Sequence, residues 1–178
     1  MARIHAIAQV HNLLSEEMPD EVDAHTLINA IVNTLITTTS SGGEQTAVKL
    51  EIEHLRLSAE QAVPVSLIVN ELVANALLHC QAPSEGKLEV RVQCRQEDRR
   101  ARLTVSDNGG GLPPGFDPFK SEGHGMNIVA QLARVNLRGQ LTIQNRNGGV
   151  CSELTFDLVG VMNHEKTDEM LVPSQSGA

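Results

Sequence analysis

The chain has 178 residues, enough for one domain of ordinary size, and 40% of them are apolar. With no Trp, no Tyr and three Phe, its core must be built from Leu, Ile, Val and Ala. A formal net charge of −8 argues against a nucleic-acid partner, which needs Lys and Arg gathered on one face.

The basic cluster Arg95, Arg99, Arg100 and Arg102 is broken by Glu97 and Asp98 and reads as a hairpin turn. Cys80, Cys94 and Cys151 are widely spaced and form no CxxC, which excludes a zinc knuckle and points to reduced thiols. No apolar run is read as reaching the roughly 20 residues that span a bilayer. His5, Gln9 and His11 interrupt any leader-like stretch. The expectation is a cytoplasmic chain without direct membrane contact, from a parent protein that could itself be membrane-anchored.

Residues 2–17 read as a helix with Ile4, Ile7, Ala8, His11 and Leu14 on one face, a stripe that calls for a partner such as a second copy. Pro19 and Asp20 end it. Asp23 is placed to cap a second helix carrying Leu27, Ile28, Ile31, Val32 and Leu35, which stops in the Thr/Ser/Gly run 37–43. Residues 46–57 alternate through Val48, Leu50 and Ile52 and predict one strand. A long helix is expected from Ser58 to Cys80, with Pro64 in its first turns. Strands over 87–95 and 100–106 form a hairpin, with Leu88, Val90, Val92, Leu103 and Val105 inward. A Gly/Pro-rich loop runs from Asp107 to Gly125, and a helix from Met126 to Asn136. Two closing strands, 140–144 and 150–158, are joined by a turn over 145–149. The last 18 residues are polar and unpatterned and read as disordered. This order predicts an α+β two-layer sandwich: a mixed, largely antiparallel sheet covered on one face by helices.

Four segments carry candidate chemistry. Glu71 and Asn75 lie four residues apart on the long helix, about 40° from each other, with Asn70 beside them. Hard oxygen donors so placed suit a hydrated Mg²⁺, although polar residues on a helix are often merely solvated. Asp107-Asn108-Gly109-Gly110-Gly111 follows a strand directly. A carboxylate there can accept from an exocyclic amine, and glycines beside it let a flat ring approach the backbone. Gly123-His124-Gly125-Met126 opens a helix, whose free N–H groups suit a phosphate, but neither a Walker P-loop nor a GxGxxG is present. Asn147-Gly148-Gly149-Val150 enters the final strand. Taken singly, each is also explained as a turn or a helix entry.

In order and spacing the four together resemble the nucleotide site of the GHKL ATPases, most closely the catalytic domain of sensor histidine kinases. Glu71 to Ala76 looks like the N box, Asp107, Gly109 and Gly111 like the DxGxG box, Gly123 and Gly125 like the second glycine box, and Gly148-Gly149 like the last. Gln61-Ala62-Val63-Pro64 and the segment Arg3 to Ala8 with His11 are similar to one subgroup, and the resemblance covers about residues 1–158.

It implies the GHKL (Bergerat) fold, ATP and Mg²⁺ as cofactors, and γ-phosphoryl transfer to a histidine with relay to a response regulator receiver domain. Asn75 would bind the metal, Glu71 and Asn70 would position its waters or polarise the nucleophile, and Asp107 would read adenine. Gly109, Gly111, Gly123, His124, Gly125 and Met126 would shape the pocket, and 116–122 a lid. Residues 1–18 would end a dimerisation hairpin, 19–160 form the ATP-binding domain and 161–178 a tail. Neither His5 nor His11 stands in an acceptor-like context, so the chain reads as a fragment that binds ATP without autophosphorylating. Leu78, Val150, His124 and Met126 depart from the family's usual residues. Two other readings stay open: a serine kinase of the anti-sigma-factor type, and a degenerate ATP-binding scaffold.

Overall fold

The computed structural model describes residues 21–39, 46–80, 87–120 and 124–159. The expected N-terminal helix, Gly123 and the tail lie outside these residues.

The described chain runs β1 (Glu21–Asp23), α1 (Ala24–Thr39), β2 (Ala47–Ile52), β3 (Arg56–Ser58), α2 (Ala59–His79), β4 (Glu89–Glu97), β5 (Arg100–Asp107), α3 (His124–Gln131), β6 (Gln140–Arg146) and β7 (Gly149–Asp157). Five strands form the main sheet in the order β2-β4-β5-β7-β6, and β1 pairs with β3 in a small separate sheet. Only the β2–β4 pair is parallel, as a crossover through a helix requires. The other pairs of the main sheet are antiparallel. This is the expected α+β two-layer sandwich.

The single strand expected over 46–57 is two strands. β2 ends at Ile52, and the chain leaves the main sheet so that Arg56–Ser58 can pair with Glu21–Asp23. A backbone bond from Ala24 N–H to Leu55 O, 2.9 Å, holds this corner. The alternating residues after Ile52 carry no mark of the departure, because both strands keep a period of two.

Asp23 caps α1 as expected, its Oδ2 accepting from Thr26 N–H at 3.3 Å and Thr26 Oγ1 at 2.9 Å. A capping box starts α2: Ser58 Oγ accepts from Gln61 N–H, and Gln61 Oε1 accepts from Ser58 N–H. Pro64 is the sixth residue of α2, deeper than the first turn, and its missing N–H takes the usual donor from the Glu60 carbonyl. The helix continues through it. α3 starts two residues before the expected Met126, and its continuation Leu132–Asn136 is π-helical, with Leu137 N–H bonded to Leu132 O.

The core lies between the helices and one face of the sheet. Leu27, Ile28, Ile31, Val32 and Leu35 of α1 and Val65, Ile68, Val69, Leu72 and Val73 of α2 pack over Val90, Val92, Leu103, Val105, Leu154 and Phe156. Each such side chain stabilises the fold by about 1.5–3 kcal/mol through burial. α2, at 21 residues, is long and apolar enough to meet the length and hydropathy of a membrane span, contrary to the sequence reading. More than half of its apolar window is buried here, as a core helix. The other face of the sheet is a lattice of ion pairs, among them Lys49–Glu89, Arg91–Glu89 and Arg102–Glu97. The Asp98-Arg99 turn between β4 and β5, with Asp98 at φ 54°, absorbs the basic cluster.

Candidate functional site

A cleft of about 460 Å³ opens between α2 and the inner face of the sheet. From α2 come two adjacent rows at helical spacing, Glu71, Asn75 and His79 beside Leu72, Ala76 and Cys80. From the strands come Val105, Asp107, Ile143, Val150 and Ser152. The 112–118 segment supplies Leu112, Phe116 and Pro118, and α3 supplies Gly125 and Met126. Apolar walls with a few fixed polar groups suit a flat, partly polar ligand.

Asp107 ends β5, where the sheet stops and the glycine-rich loop begins. Its Oδ1 accepts from Gly109 N–H at 2.9 Å and from Val150 N–H at 3.3 Å. These bonds tie two of the sequence's glycine-containing segments, 43 residues apart, to one carboxylate. Cys80, at the end of α2, meets the same side chain. Burial, and then a hydrogen bond to the Asp107 carboxylate, push the Cys80 thiol up to about 12.

Asn75 donates from Nδ2 to Met126 Sδ at 3.1 Å, joining α2 to α3 across the cleft. With its nitrogen so engaged, its amide oxygen is the atom left to meet a cation. Glu71 lies one helical turn away on the same wall, so the pair is a donor set that fits Mg²⁺.

The cleft therefore brings together Glu71, Asn75, Asp107, Gly125 and Met126. Asn70 is not among its lining residues: it is 3% exposed, turned by one residue's rotation into the core. Gly109 and Gly111 act on the lining from behind. Gly109 anchors Asp107, while Gly111, at φ +72°, packs against Asn145, whose Oδ1 would stand 3.0 Å from a β-carbon there. His124 begins α3. Leu78 is 62% exposed and does not line the cleft.

Residues that sequence reasoning missed as site components are Cys80, Ile143, Ser152 and, above all, Asn145. Asn145 of β6 clamps the loop: its Nδ2 donates to Leu112 O at 3.0 Å and its Oδ1 accepts from Leu112 N–H at 2.7 Å. Its place in an Asn-rich turn gave no signal of a partner 33 residues away.

Fold and cleft together make a small-ligand-binding domain of the two-layer α+β type, with the carboxylates of Glu71 and Asp107 set among apolar walls. The family described as histidine kinase-, DNA gyrase B-, and HSP90-like ATPase matches residues 60–160, and the chain belongs to it. Sensor histidine kinase PdtaS of Mycobacterium tuberculosis (strain H37Rv) is 27% identical over 143 residues, 80% of this chain and 28% of that protein. The nitrate/nitrite sensor protein NarX of Escherichia coli K12 is 36% identical over 91 residues, 51% of this chain and 14% of that protein. The chain thus spans less than a third of the length of these relatives. Among solved structures, the histidine kinase domain of the Erythrobacter litoralis EL346 blue-light-activated histidine kinase superposes with a TM-score of 0.77 at 20% identity. That match covers 88% of this chain and 73% of the other. The chain carries a domain of this ATPase family.

Proposed function

We propose that this chain is the catalytic domain of a two-component sensor histidine kinase, transferring the γ-phosphoryl group of ATP to a histidine for relay to a response regulator receiver domain. The observation that carries this reading is the Asp107 carboxylate, set among apolar cleft walls and held by Gly109 and Val150 N–H groups. With Oδ1 occupied by two backbone donors, Oδ2 would be the atom to accept from the adenine amine. Val105, Ile143, Val150 and Leu72 give the ring its apolar walls. Glu71 and Asn75 would hold Mg²⁺, which supplies charge neutralisation for the phosphates. In this reading the first turn of α3, with Gly125 and Met126, would receive the triphosphate at a helix N-terminus, Gly123 and His124 would share that role, and 116–122 would be the lid, as the sequence resemblance implies. Glu71 also stands where a carboxylate can polarise the incoming nucleophile. Asn70 contributes by packing α2 rather than by touching ligand.

In this reading residues 1–18 belong to a dimerisation hairpin, 19–160 form the ATPase body and 161–178 a polar tail, a division that rests on sequence pattern. The working compartment is the cytoplasm, where ATP and receiver domains are found.

Calorimetric titration with a non-hydrolysable ATP analogue tests it, with and without Mg²⁺, beside Asp107→Ala and Asn75→Ala. Binding lost in Asp107→Ala, with Mg²⁺ dependence lost in Asn75→Ala, is the expected pattern. A folded native chain that binds no analogue at millimolar concentration would leave a degenerate scaffold instead.

A further inference from the structure

We propose that Asp23, His25 and His54 form a binding site for a divalent transition metal of the zinc class, separate from the nucleotide cleft. The three side chains each offer a ligand atom, and these atoms all lie within 4.8 Å of one another. They come from three elements: Asp23 ends β1, His25 stands in the first turn of α1, and His54 lies in the connection between β2 and β3. Two bonds fix that corner independently of the side chains. Ala24 N–H donates to Leu55 O at 2.9 Å, and Asp23 pairs with Arg56 in the β1–β3 ladder.

The carboxylate alone has an ordinary explanation as the cap of α1. The His54–Asp23 contact is an exposed polar pair that contributes little by itself, and it does not account for the second imidazole stacked on His54. His54 Nδ1 lies 3.2 Å from Asp23 Oδ2, and its ring stacks on that of His25 with centroids 4.4 Å apart and planes inclined by 29°. The His54 side chain is 76% exposed and gains little by burial there, yet it folds back over a second imidazole and a carboxylate.

Asn29 prepares His25. Its amide nitrogen donates to His25 O at 2.8 Å, which identifies that atom as nitrogen, and it lies 3.2 Å from His25 Nε2. This contact orients the His25 ring against α1, and an ion bound through Nε2 would take the place of the Asn29 contact. All three hydrogen bonds to Asp23 fall on Oδ2, which leaves Oδ1 for an ion. Two imidazole nitrogens and one carboxylate oxygen match Zn²⁺, Co²⁺ or Ni²⁺ and leave a fourth position for water or an outside ligand. An ion there would tie β1, α1 and the β2–β3 corner together at the edge of the domain where residue 21 enters it.

The test uses the full chain and Zn²⁺ alone, without nucleotide. Calorimetry is expected to show one saturable site, weakened by at least roughly 10–100-fold in His54→Ala and His25→Ala. Zn²⁺ should raise the Tm of the native chain and not of the variants. His54 is exposed, so His54→Ala keeps its fold, and its metal-free Tm checks this. Asp23→Asn retains an acceptor for the cap while removing the charge, and it too should weaken binding. Co²⁺ is expected to show visible bands without a thiolate charge-transfer band. The proposal is overturned if Zn²⁺ fails to saturate a site, if its affinity is unchanged in both histidine variants, or if a thiolate band assigns the metal to one of the three cysteines.

Discussion

Gly149 lies directly against Asp107: a β-carbon at 149 would stand 2.8 Å from Asp107 Oδ1 and closer still to its backbone carbonyl oxygen. The neighbour is largely rigid main chain at a strand end, so it cannot swing aside. Gly149→Ala is therefore expected to displace Asp107, lowering ATP-analogue affinity at least about tenfold and stability by about 1–3 kcal/mol. Gly148, next to it, has φ +89° and open space around its α-carbon. Gly148→Ala should cost only about 1–2 kcal/mol of backbone strain and leave affinity near native. Parallel calorimetry and thermal melts separate the two.

Asp107 has two tasks that one pair of variants distinguishes. Asp107→Asn keeps an acceptor oxygen for Gly109 and Val150 N–H but replaces the other oxygen with a donor. Its melt should stay near native, while its affinity for the adenine nucleotide falls roughly 10–100-fold, as expected for a lost charge-assisted bond of about 1.5–3 kcal/mol. Asp107→Ala loses both functions and should fall in stability as well as in affinity.

Asn145 holds the glycine-rich loop through two bonds to the Leu112 main chain. Asn145→Ala removes both, at about 0.5–1.5 kcal/mol each before discounting for exposure. Amide hydrogen exchange over 109–118 should speed up markedly, with little change in β4 or α2. Asn145→Asp keeps the acceptor to Leu112 N–H and should give an intermediate rate.

Gln61 is 4% exposed and ties the start of α2 to the end of β7: Nε2 donates to Asp157 O at 2.7 Å, and Oε1 accepts from Ser58 and Val159 N–H. Gln61→Ala leaves buried groups without partners and should cost about 2–4 kcal/mol in denaturant unfolding. It lies away from the cleft, so nucleotide affinity measured on the folded fraction should be unchanged.

Two thiols set an alkaline limit. Burial, with the Asp107 carboxylate at Cys80 and the Glu53 charge at Cys94, pushes both from 9.0 up to about 12. A thiol whose pKa is raised on folding binds more protons in the native state, so stability is intact below 9.0 and is lost as pH rises toward about 12. Denaturant midpoints across this window should fall less steeply in Cys94→Val than in the native chain. At neutral pH, Cys80 in the folded protein should react with iodoacetamide far more slowly than a free cysteine.

Much of the site could be read along the chain, since its parts are short local motifs at element boundaries. Asp107 had to sit where a β-alternating run meets three glycines, and Glu71 and Asn75 had to share a helix wall because four residues make about one turn. What could not be read were pairings between distant segments with no period of their own. Asn145 with Leu112, Cys80 with Asp107 and Asp23 with His54 join residues separated by tens of positions, and each partner alone is an ordinary polar or sulfur-bearing residue. The break of the expected 46–57 strand belongs with these, because pairing with β1 was the deciding interaction.

The sequence by itself determined the α+β class, the main helices, the two hairpins of the main sheet and the family, because hydrophobic period and glycine placement act over a few residues. Tertiary structure alone decided that Asn70 turns into the core while Asn75 faces the cleft. It decided that α2 is a core helix although its composition would suit a membrane. It also placed Gly149 and Gly109 at opposite approaches to one carboxylate. Those outcomes depend on which surfaces meet when the helices close over the sheet, and close packing lets each position meet only one set of neighbours.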